Sequence, residues 1–268
     1  MRSRVCAVVE AGGVPGRNPL LPPLAAILAG AGVELVTWDP TPGFSATAPG
    51  APEADLYLLK GDHPAVATAG GCLADAGAPC LNTLAATSLA RDKARALARA
   101  SSAGVPVPAS TVVGDPAALA AAVAAGQRVV KPLTGAHGSG VARVGPGDPL
   151  PTGPGPWLVQ EPVEGDGFDR KVYGVGTRTA LRRMRFSPGR VDGERLPCPA
   201  DPNLERHAGA AAAACGLVCW GADFVVGPDG PVLVDLNAFP GYRGVPEGPA
   251  WVAEAVLSAL RGREEPAA

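Results

Sequence analysis

Three polar residues near the C-terminus are spaced so that a strand would gather them. In Val232-Leu233-Val234-Asp235-Leu236-Asn237, the acid and the amide are two apart and leave the same face of an extended chain. Asp223, within Gly221-Ala222-Asp223-Phe224, precedes them across the turn sequence Pro228-Asp229-Gly230, so a hairpin would set it opposite. Two carboxylates and an amide oxygen on one face suit Mg²⁺, a hard ion that shares its shell with phosphates. Ordinary solvent-facing strand carboxylates would have the same spacing. Apolar Leu233, Val234 and Leu236 favour partly buried acids instead, which need a cation to offset their desolvation.

A second stretch, Val129-Val130-Lys131-Pro132-Leu133-Thr134-Gly135-Ala136-His137-Gly138-Ser139-Gly140-Val141, reads as strand, glycine loop, strand. Glycines let the backbone approach a phosphate and aim several N–H groups at it, and Lys131 at the strand end adds a point charge. The loop is not a P-loop, because GxxxxGK[ST] is absent, nor is it followed by the helix of a dinucleotide fold. A plain glycine-rich hairpin is the competing reading. His137 gains interest only from its place in this loop, whereas His63 and His207 have no such context.

The chain has 19 arginines and only four lysines: Lys60, Lys93, Lys131 and Lys171. Where Arg replaces Lys so freely, a retained Lys marks a place that needs a compact charge instead of a planar fork. A basic cluster (Arg170, Lys171, Arg178, Arg182, Arg183, Arg185, Arg190) predicts an anionic substrate, carboxylate or phosphate. Alternation allows only about half of these to face a cleft. Lys171 and Arg183 are the expected inward pair.

These groups need a scaffold, and the pattern supplies one. Residues 4–9, 33–38, 55–60 and 79–81 read as strands separated by helices at 23–30 and 65–76, which predicts a parallel sheet. A second unit begins near Ala85 with a helix over 88–103, stopped by Gly104 and Pro106. Strands follow at 129–132, 141–144, 157–162, 171–175 and 179–186. A helix over 203–215, a hairpin of 222–226 with 232–235, and a closing helix over 250–260 complete the chain.

Composition removes several classes. A net charge of −2 gives no electrostatic support for binding nucleic acid or a membrane surface. No apolar run reaches the roughly 18 residues of a spanning helix. The opening residues reach Glu10 too soon for a secretory signal, so a cytoplasmic protein is expected. Six cysteines without a CxxC pair suggest neither zinc nor a disulfide framework.

Asp92-Lys93 on a helix, Lys131-Pro132 with its glycine loop, Trp157-Leu158-Val159-Gln160-Glu161, and Asp223 with Asp235-Leu236-Asn237 occur in an order that resembles the ATP-grasp superfamily over essentially the whole chain. The resemblance implies an α/β ATP-grasp fold: an N-terminal parallel-sheet domain (1–84), a central lobe (85–158) and a C-terminal lobe (159–268). It implies that Lys93 and Lys131 contact ATP phosphates, that Gly135 and Gly138 belong to a lid, and that Gln160, Glu161 and Val163 bind adenine. Asp223, Asp235 and Asn237 would bind one or two Mg²⁺.

Two branches fit. The glycine loop resembles the RimK-type carboxylate–amine ligases. The run Asp235-Leu236-Asn237-Ala238-Phe239-Pro240-Gly241-Tyr242 resembles the inositol 1,3,4-trisphosphate 5/6-kinases, in which residues matching His137, Lys171, Arg183, Asn237 and Gly241 face the substrate. Lys60 is the N-terminal residue expected to contact substrate. The leading expectation is a ligase that activates a carboxylate for attack by an amine. The alternative is a kinase acting on a hydroxyl of an anionic small molecule.

Overall fold

The computed structural model describes residues 2–10, 19–133, 140–153, 155–185 and 194–264. It begins with a parallel sheet ordered β2-β1-β3-β4, built from β1 (Arg4–Val8), β2 (Glu34–Trp38), β3 (Leu56–Leu59) and β4 (Cys80–Leu81). Helices cover both faces, which is why β1 and β3 read as unbroken apolar runs. Val5, Ala7, Leu56 and Leu58 enter one core with Leu24 and Leu28 of α1 (Leu21–Gly30). Cys6, Val8, Tyr57 and Leu59 enter another with Val66 and Leu73 of α2 (Pro64–Asp75).

Where the sequence predicts one helix over 88–103, the structure has two. Asp92 leaves helical geometry (φ −88°, ψ 99°) and its carboxylate accepts the N–H of Arg95, capping a new helix. α3 (Leu84–Arg91) therefore ends there, and α4 (Lys93–Ser102) begins on Lys93. The break aims that lysine inward at a helix start.

The next sheet is antiparallel, ordered β5-β8-β6-β7, from β5 (Ser110–Val113), β6 (Arg128–Pro132), β7 (Ala142–Val144) and β8 (Trp157–Gln160). Leu119 and Val123 of α5 (Pro116–Ala124) pack on it. Neither β5 nor α5 is among the sequence expectations, although Asp115 caps α5 and Pro116 occupies its first turn.

The third sheet, β11-β10-β9-β12-β13, carries the acidic residues. It comprises β9 (Phe168–Val175), β10 (Arg178–Arg185), β11 (Leu196–Pro197), β12 (Cys219–Gly227) and β13 (Gly230–Ala238). α6 (Pro202–Ala214) and α4 cover one face over Val172, Leu181, Trp220, Phe224 and Leu236. Gly174 cannot be larger, since a Cβ there would stand 2.1 Å from the Trp220 ring. The other face meets the first sheet at one end, through Tyr173, Val175, Phe239 and Tyr242. Its other end is polar. The last helix, α7 (Gly248–Glu264), packs back on α1, with Val252 and Val256 in the first sheet's core.

Candidate active site

Strand register assembles the site. Asp223 on β12 is the direct partner of Lys171 on β9 and of Asp235 on β13, so all three side chains leave one face. Asn237 lies two residues on and shares that face, as the spacing predicts. Lys171 Nζ donates to Asp223 Oδ2 at 2.6 Å, and Asn237 Nδ2 approaches Asp235 Oδ2 at 3.4 Å. Asp169, two residues before Lys171, joins the same face. The sequence reading missed it, although Asp169-x-Lys171 carries the same alternation as Asp235-x-Asn237.

The β12–β13 ladder is interrupted between Asp223 and Phe224: Phe224 pairs with Leu233, and Val234 is left over as a bulge. Its carbonyl accepts a 2.9 Å hydrogen bond from Lys131 Nζ, which reaches across from β6 of the neighbouring sheet. The bulge thus offers an acceptor where a regular ladder would have used it internally. Lys93, held by its backbone N–H on the Leu133 carbonyl at 3.2 Å, lines a narrow polar pocket with Asp62, Arg91, Asp235 and Asn237.

Burial and charge compete in this cluster. Burial raises the Asp235 carboxyl above its ordinary value, with Lys93 opposing and Asp223 adding to the rise. Asp169 is raised for the same first reason, with Asp223 next. Burial depresses Lys131, and Asp235 opposes that shift. Lys171 is also desolvated, yet the facing Asp223 outweighs burial and raises it. Close acids with lysines beside them form a cluster whose chemistry could take up a cation and a polyanion together.

Among the described residues, no three His, Cys, Asp or Glu side chains form a metal cage by themselves. Asp223, Asp235 and the Asn237 amide oxygen are hard donors on one face, a partial set that fits an ion completed by phosphates and water. They fit Mg²⁺ chemistry and offer nothing to softer metals.

The other expected residues fall as follows. Gln160, 1% exposed, ends β8 and donates to Ser110 Oγ at 2.9 Å. Glu161 and Val163 follow on the segment that crosses from β8 to β9. Lys60 is buried, but its Nζ is held by the carbonyls of Phe239 (3.0 Å) and Pro240 (3.3 Å). Gly241 follows directly, between Phe239 and Tyr242, which both have φ of 50°. Gly135, His137 and Gly138 lie outside the described residues.

One expectation is corrected. The two-residue turn Gly176-Thr177 sets Lys171 opposite Arg182, and Arg183 opposite Arg170. Arg183 therefore leaves the opposite face from Lys171 and stacks on Phe168 at 5.2 Å. Arg182 shares the Lys171 face, and its Nε donates to the Gly244 carbonyl at 2.6 Å. Asn82, fully buried, is a second residue the sequence did not disclose. Its Nδ2 donates to the Cys219 carbonyl, and its Oδ1 accepts the N–H groups of Val218 and Cys219, each at 2.8 Å.

Comparison with known proteins agrees with this architecture. No protein-family model matches the chain. A probable alpha-L-glutamate ligase 2 from Shewanella amazonensis is 30% identical over 96 residues, a stretch covering 33% of this chain and 32% of that protein. A RimK-domain ATP-grasp protein from Sphaerobacter thermophilus superposes with a TM-score of 0.74 at 22% identity, covering 94% of this chain and 98% of that one. The D-cycloserine synthetase DcsG gives 0.73 at 19% identity, covering 96% and 99%. The chain has the ATP-grasp fold, and the expected likeness to the RimK-type branch is borne out.

Proposed function

We propose that this ATP-grasp chain is a Mg²⁺–ATP-dependent ligase, which activates a carboxylate as an acyl phosphate and passes the acyl group to an amine. The observation that carries the reading is the convergence of Lys93, Lys131 and Lys171, from three different elements, on the facing pair Asp223 and Asp235. Phosphoryl transfer asks little covalent chemistry of a protein, and much positioning and charge neutralisation. This site is built for those two tasks.

Bound Mg²⁺ would supply electrostatic stabilisation of the phosphate oxygens, held by Asp223, Asp235 and Asn237. The chain's own groups do the rest. Lys131 exchanges the Val234 carbonyl for a phosphate oxygen. Lys93, at the first turn of α4, contacts the phosphates from the other side, where the helix start also favours an anion. Lys171 leaves Asp223 to meet the acceptor anion or the transferred group. Gln160, at the end of β8, and Glu161 and Val163, on the segment that follows, are the proposed adenine contacts. A carboxylate acceptor arrives already deprotonated, which suits a site with no evident general base among the described residues. His137 is proposed as a further contact to the transferred group.

The likeness to proteins named as a glutamate ligase and a D-cycloserine synthetase supports a ligase over a kinase. The substrate is an anionic small molecule or peptide terminus with an amine partner. Among the described residues no helix is long and apolar enough to cross a membrane. A thermal-shift screen of carboxylates with ATP present would identify the acceptor. The correct pair should yield ADP and inorganic phosphate in equal amounts, with hydroxylamine replacing the amine to give a hydroxamate. A stable phosphorylated product without free phosphate would overturn the ligase reading in favour of a kinase.

A further inference from the structure

Lys60 follows β3 of the first sheet, where its own N–H continues the ladder to the Val8 carbonyl at 3.1 Å. Its side chain is 9% exposed and ends among backbone oxygens. Nζ donates to the carbonyls of Phe239 and Pro240 at 3.0 and 3.3 Å, and sits 5.6 Å from the centre of the Phe239 ring. Two hydrogen bonds and a cation–π contact, all from one ammonium, converge on one short segment of the third sheet's trailing end.

That segment is held in an unfavourable shape. Phe239 and Tyr242 both have φ of 50°, a region that bulky residues avoid unless their surroundings over-determine them. Tyr242 is anchored by its hydroxyl, which donates to the Gly174 carbonyl at 2.8 Å. Phe239 donates its N–H to the Cys219 carbonyl at 2.9 Å, which leaves its own carbonyl to Lys60. Two residues before Phe239 is Asn237.

We propose that Lys60 is a positioning residue for the metal site: by holding the Phe239 and Pro240 carbonyls, it fixes the end of β13 and with it the approach of the Asn237 amide to Asp235. The proposal rests on the reading of Asp223, Asp235 and Asn237 as Mg²⁺ ligands. It gives Lys60 a different task from substrate contact, since its donors are engaged by the protein. It also links the first sheet to the catalytic face through one side chain.

The test is calorimetric titration of the full chain with ADP, with and without Mg²⁺. Lys60→Met keeps the length of the side chain and removes its donors. It should leave Mg²⁺-free ADP affinity within about twofold and weaken the Mg²⁺-dependent gain about tenfold, the usual scale for a group supporting a metal ligand. Lys60→Gln, with an N–H donor and no charge, should fall between, and serves if Lys60→Met does not fold. In an Asn237→Ala background, Lys60→Met should add less than about twofold, because the effect runs through Asn237. A variant that melts earlier but keeps the full Mg²⁺ gain would make Lys60 a structural tie only and overturn the proposal. An unaltered protein with no Mg²⁺ gain would instead refute the metal-site reading on which it rests.

Discussion

Lys171 and Asp223, direct partners on neighbouring strands, close an ion pair of 2.6 Å where the metal is proposed to bind. The pair is mostly buried, so each charge depends on the other for the solvation it has lost. On the proposed reading, Asp223 would help to hold the cation that comes with ATP, and Lys171 would then be released toward an incoming anion.

Asp235→Asn should reduce turnover by at least about a hundredfold, the scale of losing a principal transition-state stabiliser. Burial already raises this carboxyl, so the neutral isostere should leave the apo melting temperature within a few degrees. Steady-state kinetics and a melt of the same preparation check both parts. Normal ATP turnover would refute the metal assignment.

Lys131→Met should raise the KM for ATP about tenfold and lower kcat further, because the charge acts on phosphates in ground and transition states alike. The Val234 carbonyl loses its partner, a cost of about 1–3 kcal/mol if no water replaces it. Initial rates across an ATP titration separate the two constants. An unchanged KM would place the nucleotide elsewhere.

Asn82→Ala should lower stability by about 2–4 kcal/mol, since it strands the N–H groups of Val218 and Cys219, while the Cys219 carbonyl keeps the Phe239 N–H. Asn82→Asp should destabilise too, because it sets a buried carboxylate oxygen against the Cys219 carbonyl where the amide donated. Denaturant unfolding of both variants measures this. A loss below about 0.5 kcal/mol would show that water satisfies those groups.

Burial pushes the Lys60 ammonium down from 10.5 to about 8. Above that value the folded protein sheds a proton that the unfolded chain still holds. Its contribution to stability should therefore grow with pH between about 8 and 10.5, by up to about 3 kcal/mol. Melting curves of the protein and of Lys60→Met, compared from pH 7.5 to 10, isolate this difference. A constant gap would mean that Lys60 keeps its ordinary value.

Much of this site was legible because strand alternation is exact. Asp235 and Asn237 had to share a face, and the Pro228-Asp229-Gly230 turn brought Asp223 opposite. Arg183 was misassigned because face depends on register, and register here follows from a two-residue turn. Gly176 between two strand runs carried that information. Val234 left no trace, since a bulge arises from the whole ladder. The buried bonding of Asn82 is equally silent, because an isolated Asn after a short strand resembles any turn residue. Asp92 was readable as a cap, but its alanine-rich flanks favour a continuous helix.

The packing of α7 on α1 has a consequence for how this chain comes to exist. One face of its first sheet is finished by residues 252–260, made about 250 positions after β1. A chain emerging from the ribosome holds Val5, Ala7, Leu56 and Leu58 without the cover of α7 until residues 252–260 have been made. Contacts of such sequence separation slow folding. A ribosome stalled before Gly248 should therefore display a first sheet that still binds a chaperone, and release from it should coincide with the arrival of α7.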